Sequence, residues 1–357
     1  MKKIFENARL GPLEIPNRLV RSATFERGCI KDGVIQSAFL HVIEELAQGG
    51  IGLIITGTMS VLRNSEANGE TARTYDESFI KNFASIADAV HKTPCKIAVQ
   101  LGHIGVKAKG FVDNDSILCP SDIQFDDGSS ARAMTRDDIN KVAAAFGTAA
   151  LRCKEAGADG VQIHAAHGYL ITQFLSPYYN KRTDEYGAGI KNRARFLFDI
   201  YDAIRANVGA SYPVLMKINY TDLIEPGITP DEAVWVCGEL SERGIDAIEV
   251  SGGVGLNSKT SPSQRGFAEE GFFASNAAHV ASRVSCPVIA VGGFRTPEKI
   301  EEWLNKGNFE AAALSRPFIR EPALANRWKN GGLSKAACIS CSKCFLMEHL
   351  GCFVETR

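Results

Sequence analysis

The 357-residue chain lacks several features that mark whole classes of protein. It has no apolar run approaching the ~20 residues needed to cross a bilayer, so we do not expect a membrane protein. Its formal net charge of −1 gives no electrostatic reason to expect a nucleic acid or an anionic membrane as a partner. The N-terminus also lacks the apolar segment of a signal peptide, and the sequence therefore predicts a cytoplasmic protein.

Short apolar runs recur along the whole chain and alternate with helical patterns. Near-continuous runs of this kind predict strands that are covered on both faces. They lie at residues 19–23, 52–56, 96–100, 160–164, 214–218, 247–251, 288–292 and 311–315. Apolar residues at three- and four-residue steps predict helices over 79–90, 139–156 and 194–208, and Thr229-Pro230 and Thr296-Pro297 are typical helix starts.

This alternation of eight strand–helix units predicts a single (β/α)8 TIM barrel. The alternative is an open, doubly wound sheet, which normally carries Gly-x-Gly-x-x-Gly after its first strand, and no such motif follows the first run. Two long segments interrupt this alternation of strands and helices: residues 105–134 after the third strand and residues 165–191 after the fourth. Extended loops at these strand ends are where such barrels build their active sites.

Two imidazoles and a phenol lie close together at the end of the fourth predicted strand, in the segment His164-Ala-Ala-His167-Gly-Tyr169. Two imidazole N–H groups can stabilise negative charge on an oxygen atom, and a neutral phenol beside them can deliver a proton. Zinc binding by His-x-x-His is an alternative, but the motif contains no carboxylate to complete the ligand set. A structural hydrogen-bonding role for a single histidine is the other alternative.

This motif opens a longer block that continues with Phe174-Leu-Ser-Pro177 and Arg182-Thr-Asp-Glu-Tyr-Gly187. The block resembles the signature of the Old Yellow Enzyme family of flavin mononucleotide (FMN) oxidoreductases, in its double-histidine form. The resemblance implies a barrel with a short N-terminal hairpin that holds FMN at its C-terminal mouth. It also implies hydride transfer from NAD(P)H through the flavin to an activated alkene. In that reaction His164 and His167 would hold the substrate oxygen, and Tyr169 would donate the proton.

The same resemblance implies cofactor contacts at the other strand ends. The flavin ring is expected near Ser22, Ala23, Thr24 and Thr58, with the Gln100 amide at its pyrimidine edge and the Lys217 cation near N1 and O2. Further contacts are expected at Gly252, Gly253, Gly292, Gly293, Ser315 and Arg316. Glycines and a guanidinium after the last two strands also suit a barrel phosphate site on chemical grounds.

Two positions depart from the pattern of a bacterial branch of that family. Phe25 stands where the branch has a cysteine near the flavin, so flavin tuning by a thiol is not implied. Arg27 stands where the branch has an aromatic substrate contact, which favours a polar or anionic substrate. The alternative for Arg27 is a surface arginine that points into solvent.

Cysteine is plentiful, at ten residues, and four of these crowd the C-terminal end at Cys338, Cys341, Cys344 and Cys352. Such a set can bind an iron–sulfur cluster, as larger relatives of the resembled family do, or a zinc ion. We expect instead that this tail, residues 336–357, binds no metal. We also expect it to be dispensable for the flavin chemistry of the barrel, residues 1–335.

Two alternatives to an alkene reductase stay open. A redox-free phosphate-binding barrel, such as an isomerase or aldolase, would explain Gly292 and Gly293 but not the two histidines and the tyrosine. A flavin and iron–sulfur electron-transfer component, related to dienoyl-CoA reductase-type enzymes, would use the tail cysteines. The sequence predicts a small-molecule activated alkene as substrate, and it leaves homo-oligomer formation open.

Overall fold

Eight parallel strands form a closed barrel in the computed structural model of the chain, which describes residues 1–66, 69–110, 117–257, 259–261 and 269–354. The strands, numbered β1 to β8 along the chain, are Leu19–Arg21, Leu53–Ile55, Lys96–Gly102, Gly160–Ala165, Val214–Asn219, Ala247–Ser251, Val288–Val291 and Ala311–Leu314. Each strand pairs in parallel with the next, and β8 pairs with β1, which closes the barrel. The predicted single (β/α)8 barrel is confirmed.

Helices follow the strands and cover the outside of the barrel. They are α1 Ser37–Gln48, α2 Ser78–His91, α3 Arg136–Glu155, α4 Leu170–Leu175, α5 Ile190–Arg193, α6 Arg195–Val208, α7 Pro230–Glu242, α8 Ala274–Ala281, α9 Pro297–Lys306, α10 Arg316–Arg320 and α11 Leu324–Lys329. The two predicted helix starts are confirmed, since Thr229 precedes α7 and Thr296 precedes α9. Proline suits the first position because its missing N–H would have no partner there.

The inside of the barrel is layered along its axis. A hairpin formed by Ala8–Leu10 and Leu13–Ile15 packs its buried side chains against the N-terminal end of the barrel and closes it. The next layer is apolar and comes from alternate strand positions: Val20, Leu53, Ile55, Ala98, Leu215, Ala247, Ile289, Ala311 and Ala313. Two residues further along the same strands, inward positions become polar at Ser22, Gln100, Lys217 and Glu249. A polar layer therefore lies below the C-terminal mouth.

The long connections after β3 and β4 lie side by side at this mouth. The first contains a 3₁₀ turn at Gly105–Ala108 and the short strands Leu118–Cys119, Ile123–Gln124 and Ser130–Ala133, while residues 111–116 lie outside the described part. The second contains α4 and α5. Leu170 N–H donates to the His103 carbonyl at 2.9 Å, and the Gln173 amide donates to the Ile104 carbonyl at 3.2 Å. The predicted extended loops are therefore confirmed and are hydrogen-bonded to each other.

The smaller elements are a hairpin of Ile30–Lys31 with Val34–Ile35, a strand at Met59–Ser60 beside β3, and 3₁₀ turns at Arg63–Ser65 and Lys343–Leu346. Across the described residues, every helix is too short or too polar to traverse a lipid bilayer.

Candidate active site

A cavity of about 280 Å³ opens at the C-terminal ends of the barrel strands. It brings together most of the predicted site residues, because parallel barrel strands all end at the same face. Those in its wall are Ser22, Ala23, Thr24, Thr58, Gln100, His164, His167, Tyr169, Lys217, Gly292, Gly293, Ser315 and Arg316. Gly252 and Gly253 are not part of the wall; Ser251, the last residue of β6, lines the cavity there instead.

His164, His167 and Tyr169 form one cluster of contacting rings. The His164 ring lies edge-on to the His167 ring at 5.4 Å and to the Tyr169 ring at 4.5 Å between centroids. His164 Nδ1 accepts a hydrogen bond from the Ala166 N–H at 3.3 Å, so a neutral His164 carries its proton on Nε2. His167 Nε2 lies 2.8 Å from Ser251 Oγ. Among the described residues, these contacts leave His164 Nε2 and His167 Nδ1 for a ligand.

A left-handed turn presents these side chains to the cavity. His167 has φ +61° and Gly168 has φ +75°, and a histidine in this region has to be held there by its neighbours. Asn219 Oδ1 accepts from the His167 N–H at 3.1 Å, and Lys107 Nζ donates to the His167 carbonyl at 2.7 Å. The Gln173 amide donates to the Gly168 carbonyl at 2.8 Å. The motif is thus fixed by side chains that sequence reasoning did not assign to the site.

Burial sets the protonation state of the cluster. Burial, followed by the nearby Lys217 cation, lowers the pKa of His164 and of His167 well below the ordinary value of 6.5. Burial also raises the pKa of Tyr169 above its ordinary value of 10.0. Near pH 7 both imidazoles are therefore neutral and the phenol keeps its proton. The cluster can hold an oxygen with two N–H donors and supply a proton beside it.

Lys217 is a buried cation with two partners. Its Nζ donates to Ser22 Oγ at 2.7 Å and lies 3.0 Å from Glu249 Oε1. Glu249 sits directly opposite Lys217 on the neighbouring strand β6 and is fully buried. Sequence reasoning missed this glutamate, although strand alternation places Glu249 and Ser251 on the same inward face.

The two glycines after β7 pack so closely against Phe272 and Phe273 that no side chain would fit there. Gly292 has φ +138° and Gly293 has φ +72°, both in the region that favours glycine. A Cβ on Gly292 would lie 2.8 Å from the Phe273 nitrogen, and one on Gly293 would lie 2.8 Å from Phe272 Cε1. Packing against these rings requires glycine at both positions, and the two glycines line the cavity together with Arg316, whose guanidinium suits a phosphate group.

The cysteine-rich tail packs against Arg316. Arg316 Nη1 donates to Ser342 Oγ at 2.8 Å and to the Ser340 carbonyl at 3.2 Å. Ser340, Cys344 and Leu350 also line the cavity. The tail therefore forms part of the cavity wall, and its dispensability for the chemistry of the barrel stays a prediction. No local pattern in the sequence signals a contact of this kind.

The four tail cysteines, Cys338, Cys341, Cys344 and Cys352, line a second, small cavity. Burial raises the pKa of the Cys338 and Cys344 thiols above the ordinary value of 9.0. Within the described ranges, no group of three or more His, Cys, Asp or Glu side chains is arranged to hold a metal ion. The expectation that the tail binds no metal stays a prediction.

Several lining residues carried no signal in the sequence. Three phenylalanines, Phe272, Phe273 and Phe294, form an apolar part of the wall. The two departures from the family pattern, Phe25 and Arg27, also line the cavity. Arg27 is therefore not a surface arginine that points wholly into solvent.

Comparison with known proteins points to one family. The family model described as "NADH:flavin oxidoreductase / NADH oxidase family" matches residues 3–334. A "metal reductase" of Desulforamulus reducens is 32% identical over 364 residues, which cover 100% of this chain and 54% of that protein. An "NADPH dehydrogenase" of Bacillus pumilus is 32% identical over 327 residues, which cover 90% of this chain and 92% of that protein.

A solved structure is similar in fold over nearly the whole chain. A complex of 2-naphthoyl-CoA reductase with 2-naphthoyl-CoA matches with a TM-score of 0.89 at 25% identity, over 99% of this chain and 56% of the other. This chain therefore spans about half the length of the Desulforamulus protein and of 2-naphthoyl-CoA reductase, and nearly all of the Bacillus protein.

Proposed function

The chain belongs to the NADH:flavin oxidoreductase / NADH oxidase family, which includes the Old Yellow Enzymes, and on that basis we propose that it reduces activated alkenes. FMN is the cofactor of this family and NAD(P)H its reductant. The proposed substrate is a small molecule whose carbon–carbon double bond is conjugated to a carbonyl or a similar group. The observation that carries the proposal is the cluster of His164, His167 and Tyr169 in the wall of one cavity with Lys217.

The residues that line the cavity suit both the ring system and the phosphate group of FMN. Ser22, Ala23, Thr24, Thr58, Gln100 and Lys217 would hold the ring system, and Gly292, Gly293, Ser315 and Arg316 would hold the phosphate. The Arg316 guanidinium in the cavity wall is the structural support for the phosphate end. When bound, FMN accepts hydride from NAD(P)H and passes it to the alkene. Gly252 and Gly253 are left out of this assignment because they are not in the wall.

The two histidines would stabilise the charge that reduction creates on the substrate. Hydride addition to a conjugated alkene places negative charge on the carbonyl oxygen. His164 Nε2–H and His167 Nδ1–H would donate to that oxygen as neutral imidazoles, held in place beforehand by Ala166 and Ser251. Donors that are fixed in advance need no reorganisation when the charge develops.

Tyr169 would complete the reaction by giving its proton to the α-carbon. The phenol is neutral because burial raises its pKa, and its ring contacts the His164 ring that would hold the oxygen. A neutral acid at this place can protonate carbon without first taking a proton from solvent.

A two-step experiment tests this proposal. The protein is purified, its flavin is released by heat and identified by chromatography, and FMN is expected. The refilled protein is then reduced anaerobically with NADH or NADPH and mixed with enones, enoates and nitroalkenes. Rapid reoxidation by at least one activated alkene supports the proposal, whereas reoxidation by oxygen or metal ions alone contradicts it.

A second candidate is a flavin and iron–sulfur electron-transfer component. It is favoured by one observation, that Cys344 lies in the wall of both the large cavity and the small cysteine-lined one. Iron and acid-labile sulfide in anaerobically purified protein decide between the two, since about four of each per chain would support a cluster. The cytoplasmic location stays a prediction, and homo-oligomer formation stays open.

A further inference from the structure

The polar layer below the cavity contains a carboxylate that the proposed reaction does not use. Glu249 is fully buried in β6 and is not in the cavity wall. Its Oε1 accepts from Ser22 Oγ at 2.6 Å and lies 3.0 Å from Lys217 Nζ, while its Oε2 accepts from Gln162 Nε2 at 2.9 Å. Both carboxylate oxygens are therefore engaged, one by the cation and one by an amide.

The amide contact starts a directional chain of hydrogen bonds. A carboxylate can only accept, so Gln162 has to turn its NH₂ group toward Glu249. Its Oε1 then accepts from Gln100 Nε2 at 2.7 Å. Gln100 consequently turns its own Oε1 away from Gln162, and Thr58 Oγ1 donates to that oxygen. The charge on Glu249 thus fixes the orientation of the Gln100 amide, whose NH₂ group points to Gln162 and whose oxygen points away from it.

We propose that Glu249 is a positioning residue for the flavin, because it fixes both the Lys217 ammonium and the direction of the Gln100 amide. Lys217 and Gln100 line the cavity, whereas Glu249 and Gln162 lie behind them. The wall therefore offers a cation at one point and a carbonyl oxygen at another. That pair is complementary to a ring edge that carries both acceptors and an N–H donor, as the pyrimidine edge of a flavin does.

Glu249 also offsets the charge of Lys217. Removing one partner of a buried ion pair leaves the other charge uncompensated in a medium where it is poorly solvated. An uncompensated cation beside the cavity favours whichever form of a bound group is more negative. Reduced flavin without a proton on N1 carries more negative charge than oxidised flavin. By offsetting the charge of Lys217, Glu249 should therefore lower the midpoint potential of bound flavin.

The inference rests on the proposed flavin site but not on the alkene substrate. The test compares wild type with Glu249→Gln, which is nearly isosteric and neutral, and with Gln162→Met, which breaks the amide chain but keeps the ion pair. Two quantities are measured: the midpoint potential of bound FMN, and the riboflavin dissociation constant of the flavin-free protein. Riboflavin has no phosphate, so its affinity reports on ring contacts alone.

We expect Glu249→Gln to favour reduction at least tenfold, which is about 30 mV for a two-electron couple, and to weaken riboflavin binding at least tenfold. Gln162→Met should weaken riboflavin binding by a similar factor and shift the potential less. Glu26→Gln is the matched control, because Glu26 is another buried carboxylate paired with an arginine, Arg21. It should leave the potential of bound FMN within error of wild type.

Unchanged potential and unchanged riboflavin affinity in folded Glu249→Gln would overturn the inference. If that variant does not fold, Gln162→Met decides the matter, and wild-type riboflavin affinity there would also overturn it. A wild-type protein that binds neither FMN nor riboflavin would contradict the proposed function itself, so the two failures are distinguishable.

Discussion

The Lys107 ammonium lies 5.1 Å from the centre of the Tyr169 ring. It is held there by donating to the carbonyls of His167 at 2.7 Å and of Val254 at 2.8 Å. Lys107 thus ties the turn that carries the proposed proton donor to the loop after β6. It also places a positive charge beside the phenol.

The Lys107–Tyr169 contact predicts a pH dependence. Burial lowers the pKa of Lys107 to about 8, so the side chain is charged below that pH and loses its charge above it. The cation stabilises negative charge on the phenol oxygen as the proton leaves. We therefore expect alkene reduction by the reduced enzyme to slow by roughly tenfold as pH rises through 8. Stopped-flow reoxidation with a weakly activated enone measures this rate.

Lys107→Met should remove the inflection and hold the rate near its high-pH level at every pH. Lys109→Met is the matched control, since Lys109 lies in the same loop but pairs with the exposed Asp127. It should keep the wild-type profile. An inflection near pH 8 that survives in Lys107→Met would assign the titration to another group.

Tyr169→Phe should slow alkene reduction far more than it slows flavin reduction by NAD(P)H. The proton is needed only when the alkene is reduced, and loss of a general acid costs roughly 10²-fold or more. Anaerobic stopped-flow measurements separate the two half-reactions. Equal slowing of both would mean that Tyr169 acts through packing against His164.

His164→Ala and His167→Ala should each weaken the binding of phenols, whose oxygen mimics that of the substrate. Loss of one donor to a developing charge costs on the order of 2–4 kcal/mol in catalysis, and an effect of the same sign is expected in binding. Because the pKa of each imidazole lies well below 6.5, wild-type affinity should be flat between about pH 6 and 7, below the pKa of about 8 of Lys107. Titration by charge-transfer absorbance measures both effects, and an inflection near 6.5 would contradict neutral donors.

Arg316→Met should weaken FMN binding by roughly 10²-fold and leave riboflavin binding unchanged, since the guanidinium is expected to bind only the phosphate. Ser342→Ala removes one of its tail partners and should weaken FMN binding by a smaller factor. Fluorescence titration of the flavin-free protein with both ligands measures this. If Ser342→Ala binds FMN like wild type, the tail does not help to orient Arg316.

The barrel could be predicted from the sequence because each strand and helix is specified by residues that are close together in the chain. Strand and helix periodicities repeat along the chain, and the motif from His164 to Tyr169 holds its three ring residues within six positions. Gly252 and Gly253 were assigned by their place after the sixth strand, but the wall there ends at Ser251. Position after a strand does not fix how far the cavity reaches.

The supporting residues could not be predicted in the same way, because their partners are distant in the chain. Lys217 meets Ser22 across 195 residues, and Glu249 meets Ser22 across 227. Only the closure of the barrel brings these strands together. The tail is a similar case, since its contact with Arg316 depends on how residues after the last helix fold back over the mouth.

The hairpin under the barrel has a consequence for the order of events during turnover. Its side chains at Leu10, Leu13 and Ile15 close the N-terminal end, so small molecules arrive from the opposite face. If the reductant and the alkene both bind in the cavity at that face, we expect one to leave before the other binds. The two half-reactions should therefore alternate, and a high concentration of either the reductant or the alkene should inhibit binding of the other.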